Sequence, residues 1–218
     1  TINDNTLTVI EPEDGKVLSR VEVTTTVPQS DPYGFSDIGY TVNNPTIIKQ
    51  WVDAAKTIEE DWNNKEDKTN LDYFLNYRKD VFLFPNIDTS NVVSASNAFQ
   101  DSSIGVFPTL DFDNLENAYW MFAYSKVQQL PATRFPKVTN ASDMFSNTQL
   151  TKVPDLYLPE ATNTSSILVG TQQAEEVGDI YIPKSNELGA LLGWSYNVHK
   201  VGKIHLNGVA NMTELFPS

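Results

Sequence analysis

Side-chain catalysis draws on nucleophiles and on titratable groups held close together, and this chain of 218 residues offers 2 His and no Cys. Without Cys there is no disulfide, thiolate metal site, thiol nucleophile or redox pair. Neither His199 nor His205 has a second His at metal-ligand spacing, and the sequence holds no glycine-rich phosphate loop or nucleophile elbow. What remains is carboxylate chemistry. Asp88, Asp111 and Asp113 form an acidic set of the kind that supplies a glycosidase pair or a Ca²⁺ site. Exposed carboxylates on an acidic chain are ordinarily just solvated, so the sequence reading assigns no catalytic residue, no metal and no cofactor. A second set is suited to recognition: Arg134, Tyr157, Tyr181 and His205 combine flat rings with hydrogen-bonding groups, which fit sugar faces and peptide chains alike.

Both sets come from one repeat. Pro85, Pro108, Pro131 and Pro154 stand 23 residues apart, and Gly178 and Gly202 continue the series at steps of 24. Two and four places after each lie apolar or β-branched residues, such as Leu110 with Phe112 and Ile180 with Ile182, the alternation of a short strand with one buried face. The residue between them points the other way. Stacking the six units aligns Asp88, Asp111, Arg134, Tyr157, Tyr181 and His205 in one outward row. Tyr also favours exposed strand faces for structural reasons, so register alone motivates reading the row as a binding ladder.

Later in each unit, Ala95/Phe99, Ala118/Phe122 and Ala141/Phe145 are four residues apart, which predicts a helical or 3₁₀ segment. Asn140 with Asp143 and Asn211 with Glu214 have the offset of helix caps. The N-x-S/T sequons at Asn140, Asn163 and Asn211 share this repeat position and are read as turn and cap residues rather than glycan acceptors. A strand, a turn and a helical segment in each unit predict an α+β fold: a short leucine-rich-repeat solenoid of six 23–24-residue units.

The stretches Asp88-Thr89-Ser90-Asn91-Val92 with Ala98-Phe99, and Val138-Thr139-Asn140-Ala141-Ser142-Asp143-Met144-Phe145, resemble BspA-like (bacterial surface protein) leucine-rich repeats over residues 81–218. Later units replace the Met-Phe pair with Ile167-Leu168, Leu191-Leu192 and Leu215-Phe216. The resemblance implies recognition of proteins or glycans at cell surfaces, without associated chemistry.

Ahead of the repeat, Leu7 to Ile10 and Val17 to Val23 alternate polar and apolar residues around Glu13-Asp14-Gly15, as in a β-hairpin, and residues 1–30 form an attachment module. Pro12 to Lys16 with Ser19 to Val23 is similar to a short β-module of virion and fibre proteins of gut-bacterial (crAss-like or similar) phages. Residues 31–80 make a helical N-terminal cap. After Pro45, Ile47, Ile48, Trp51, Ala55, Ile58 and Trp62 fall on one helix face, and a shorter helix places Leu71, Phe74 and Leu75 inward.

The balance of 15 basic against 28 acidic residues gives a net charge of −13, which makes nucleic acid and anionic membrane poor partners. The expected partners are other virion proteins or a cell-surface protein or glycan, within a larger assembly. The sequence is therefore read as a non-enzymatic virion structural protein, capsid-, tail- or fibre-associated, with a bacterial cell-surface adhesin as the alternative. A carbohydrate-active enzyme is the less favoured third reading. The adhesin predicts an export signal and an anchor, neither visible in the sequence. The last unit, ending Phe216-Pro217-Ser218, leaves an open repeat edge for a partner chain, and Thr1 and Ser218 are expected to dock in an assembly.

Overall fold

Pro45 pre-sets the backbone angle of a first helical turn, and a stripe of apolar residues behind it makes one long helix, α1 (Pro45–Asn64). Val52, Ala55, Ile58 and Trp62 are its buried face. In this computed structural model residues 45–130 and 134–207 are described, together with three N-terminal strands, β1 (Ile2–Asn3), β2 (Thr6–Ile10) and β3 (Val17–Glu22). The strands form an antiparallel sheet in the order β1-β2-β3, with Leu7 opposite Val21 and Thr8 opposite Arg20. The turn around Gly15, the connection from Pro28 to Asn44, and Asn211, Met212, Thr1 and the Phe216–Ser218 edge lie outside the described residues.

The α+β leucine-rich-repeat solenoid is overturned. Among the described residues α1 is the one helix, the remaining strands are short and lie in small parallel sheets, and there is no closed solenoid. Those strands are β4 (Leu156–Tyr157), β5 (Glu176–Val177), β6 (Ile180–Tyr181), β7 (Lys200–Val201) and β8 (Ile204–His205), paired as β4-β6-β8 and β5-β7.

The segments expected to be helical are runs of consecutive turns, and their backbone bonds show why. Ala95, Asn97, Phe99 and Asp101 donate their N–H groups sideways to the carbonyls of Asn117, Tyr119, Met121 and Ala123 in the next layer, at 2.8–3.0 Å. The alternating residues Ala98, Gln100 and Ser102 donate back to the carbonyls of Ala95, Asn97 and Phe99, closing tight turns. A helix would spend all these donors within the segment. The turn rows instead use left-handed residues four places apart, as at Asn97 and Asp101 or Asp143 and Asn147, and five apart at Gly189 and Trp194.

The same rows recur from residue 71, where Leu71, Tyr73, Leu75 and Tyr77 donate to the carbonyls of Ser94, Ser96, Ala98 and Gln100. The shorter helix expected there is thus also a turn row, and parallel bridges link Asn70, Ser94, Asn117, Asn140, Asn163 and Glu187 in succession. Layer stacks on layer at the usual interstrand step of about 4.8 Å.

Apolar residues of every layer face a common core. Phe99, Phe122 and Phe145 stack with centroids 5.1 and 5.5 Å apart, and Phe112 lies over Phe135 at 6.1 Å. Burying each ring contributes about 1.5–3 kcal/mol. At one end α1 joins this core through Trp62, edge-on to Phe74 at 5.8 Å, and Trp51, 4.6 Å from Phe82. A column of buried hydroxyls, Ser102, Ser125, Thr148, Thr171 and Ser195, ends the turn rows. Thr148 and Thr171 donate to the carbonyls of Phe145 and Leu168, which a terminated turn leaves free.

Candidate functional site

In the β4-β6-β8 sheet, strand alternation sends Leu156, Ile180 and Ile204 toward the core and Tyr157, Tyr181 and His205 outward. The register is parallel and unshifted: Tyr157 pairs with Tyr181 and Tyr181 with His205, and Arg134 bridges to Tyr157. The side chains follow the backbone. Arg134 Cζ sits 5.0 Å from the Tyr157 ring centroid, within cation–π range. The two Tyr rings are 5.0 Å apart with planes inclined by 10°, and His205 continues the row 5.7 Å from Tyr181 at 49°. Each Tyr keeps over a third of its surface in solvent, so one edge of the stack is open. The four residues form a continuous strip with a guanidinium at one end and an imidazole at the other.

The flanking carboxylates are engaged by the fold. Asp155 Oδ1 accepts the Asp179 N–H at 2.7 Å, and Asp179 Oδ1 accepts the Lys203 N–H at 2.8 Å. Asp179 also faces His205 Nε2 at 3.7 Å. The Lys203 N–H, ahead of the His205 contact, holds the Asp179 carboxyl below its ordinary value. This arrangement explains why Gly replaces Pro in the last two units. A side chain on Gly178 would meet the Asp155 carboxylate, and one on Gly202 the Asp179 carboxylate. The glycines also bring the donor that Pro lacks: their N–H groups bond to the carbonyls of Val153 and Val177 at 2.8 Å.

Asp88 and Asp111 do not join the ladder in this way. Each caps its own turn, Asp88 Oδ1 accepting the Ser90 N–H and Asp111 Oδ1 the Asp113 N–H, both at 2.9 Å. Ser90 holds the Asp88 carboxyl below its ordinary value. Their layers are tied by a side chain, Thr89 Oγ1 donating to the Asp111 carbonyl at 2.6 Å. Among the described residues no three His, Cys, Asp or Glu are gathered as metal ligands would be, so the carboxylate set is not assembled into a centre. No described helix is long and apolar enough to cross a membrane. Asn140 and Asn163 accept the N–H groups of Ser142 and Ser165 at 3.2 and 3.1 Å, as turn residues rather than helix caps.

A second surface was not anticipated from the sequence. Along the turn rows, Tyr77, Asp101, Tyr124, Asn147, Gly170 and Trp194 occupy equivalent left-handed or turn positions in successive layers. Beside them a groove of about 370 Å³ runs over several layers, with Lys79, Asp101, Tyr124, Lys126, Asn147 and Gln149 among its lining residues. The signal for it lay in the Asn, Asp and Gly residues recurring at those left-handed positions.

Comparison of the chain with protein-family models, curated proteins and solved structures gives no match.

Proposed function

We propose that this protein is a non-enzymatic recognition protein that binds a protein or glycan through the strip formed by Arg134, Tyr157, Tyr181 and His205, in the setting of a gut-bacterial phage virion. The carrying observation is the ring stack itself: two parallel Tyr rings 5.0 Å apart, extended by a guanidinium and an imidazole. A row of this kind is rigid before binding, so little side-chain entropy is lost when a flat ligand lies on it. Its polar ends supply direction, and its exposed ring edges supply contact area. The virion setting is supported by the similarity of residues 12–23 to a short phage β-module.

The test has two arms. Intact virions purified on a CsCl gradient are analysed by mass spectrometry, where the chain is expected among the particle proteins; its presence only on bacterial cells would favour the adhesin instead. Binding to purified host surface glycans and envelope proteins is then compared for the wild type and the Tyr157→Ala, Tyr181→Ala double variant. Folded double variant with unchanged affinity would sink the ladder reading.

A further inference from the structure

The strand ladder offers a ligand ring edges rather than ring faces. Tyr157 lies between the Arg134 guanidinium and the Tyr181 ring, each 5.0 Å from its centroid, and Tyr181 lies between Tyr157 and His205, the latter at 5.7 Å. Both faces of each Tyr are therefore taken, and the open part is the edge that carries the phenol hydroxyl. Among the described residues neither hydroxyl has a hydrogen-bond partner in the protein, and Arg134 has no carboxylate within ion-pair distance. A phenol hydroxyl both donates and accepts, so it suits a partner rich in groups that do the same.

The spacing sets the repeat of that partner. One hydrogen-bonding side chain stands at each layer, at steps of about 4.8 Å. Phe112 stacked on Phe135 places Asp111 one layer before Arg134, and Thr89 ties the layer of Asp88 to Asp111 in turn. The row from Asp88 through Asp111, Arg134, Tyr157 and Tyr181 to His205 has six exposed positions over about 24 Å. A peptide laid along it rises about 3.3 Å per residue and cannot offer one equivalent group to every layer. Nor can a peptide join as a strand at Tyr181, because β6 is already paired on both sides. An extended chain of β-1,4-linked hexoses advances by nearly one layer per sugar and carries hydroxyls at every step.

Charge then selects among glycans. A polyanion along the row meets Asp88 and Asp111, and a polycation meets Arg134. Hydroxyls fit both, donating to carboxylates and accepting from the guanidinium. Asp88 and Asp111 each commit only one oxygen to their own turns, and the second is open to a ligand hydroxyl. We propose that the strip binds an extended neutral β-1,4-linked glycan laid across the strands, one hexose per layer. Arg134, the Tyr157 and Tyr181 hydroxyls and His205 hold it, and Asp111 and Asp88 extend the track. The inference rests on reading the strip as the recognition surface and narrows its ligand to one class.

Calorimetric titration of the full chain with cellohexaose, mannohexaose and N-acetylchitohexaose tests it, beside maltohexaose, whose α-linkages coil the chain and break the repeat. At least one β-linked hexasaccharide is expected to bind, and to do so about tenfold more tightly than its own trisaccharide or maltohexaose. Tyr157→Phe with Tyr181→Phe keeps the ring stack, removes both hydroxyls and is expected to weaken that binding about tenfold. Should this variant fail to fold, shifts of the Tyr157 and Tyr181 ring resonances of the wild type on titration carry the test, and unmoved resonances count against the site. No binding by any β-linked hexasaccharide, equal binding of maltohexaose, or affinity indifferent to the Tyr→Phe changes would overturn the proposal. If no hexasaccharide binds but Tyr157→Ala with Tyr181→Ala abolishes binding of a host envelope protein, the glycan assignment falls and the strip stands as a recognition surface. If neither glycan nor envelope binding responds to that alanine variant, the reading of the strip itself falls.

Discussion

Asn147 places its side-chain oxygen in the space that a Cβ on Gly170 would occupy, so the two residues of adjacent layers fit only because one has no side chain. Gly170 also holds φ at +70°, where an L residue is strained. Asn147 Nδ2 donates to Ser146 Oγ at 2.9 Å, and moving the amide aside would break that bond.

Gly170→Ala is therefore expected to destabilise the fold by about 2–3 kcal/mol, the sum of a left-handed alanine and a lost hydrogen bond. Urea unfolding of the variant measures it directly. A change under about 0.5 kcal/mol would mean that the layer relaxes around the new methyl group.

The parallel Tyr157 and Tyr181 rings predict a coupling that either residue alone does not reveal. A double-mutant cycle on stability with Tyr157→Ala and Tyr181→Ala is expected to give an interaction energy of about 0.5–1.5 kcal/mol. Additive losses would show that the rings are neighbours without being partners.

Phe122 lies between Phe99 and Phe145 in the core and also meets Phe107 at 5.4 Å. Removing it leaves a cavity with rings on three sides, and Phe122→Ala is expected to cost about 3–5 kcal/mol. Thermal unfolding followed by near-ultraviolet circular dichroism reports both the loss and the change in aromatic packing.

Acid should act on two kinds of carboxylate with opposite sign. Burial, partly offset by the Ser142 hydroxyl and the Trp120 indole, raises Asp143 above its ordinary value of 3.8. Its folded form takes up a proton before the unfolded chain does, so its contribution to stability rises as pH falls through the raised value and levels off below 3.8. Asp80, held down by Arg78, and Asp179, held down by the Lys203 N–H, stabilise above 3.8 and lose that contribution as pH falls through their lowered values. Asp143→Asn keeps a left-handed-tolerant residue and removes the half-buried charge. At neutral pH it is expected to be more stable than wild type by about 0.5 kcal/mol, with the gap closing on acidification below the raised value. Melting temperatures of the two proteins across pH 3–7 test the sign, and a gap that widens with acid would refute it.

The register of the Tyr157–Tyr181–His205 strip was legible because strand alternation has a period of two and admits little ambiguity: once the Pro and Gly positions were aligned, these three residues had to share a face. The helical reading of Ala95 and Phe99 failed for a physical reason. Apolar residues four apart lie on one side of an α-helix, but they also lie on one side of two successive turns, and hydrophobic spacing does not separate the two. The distinguishing information was in the polar residues between them. Asn97, Asp101, Asp143 and Asn147 tolerate left-handed backbone, and their recurrence four apart was the mark of turns. The groove was missed through the same misreading, since a helical segment gives no sign that Tyr124 and Asn147 hold equivalent left-handed positions in adjacent layers. The Pro-to-Gly change was visible in the sequence, but its cause, the reach of Asp155 across Gly178, depends on how two layers meet.

The sideways backbone bonds of the turn rows have a mechanical consequence. They run along the stacking axis, so a pull on the chain from either end of the stack loads only the outermost layer. That layer peels away while those behind it keep their bonds. Under force the protein should lengthen in a series of small, nearly equal steps, each releasing one layer of 23–24 residues, where a fold held by bonds within each element would give way in one large rupture.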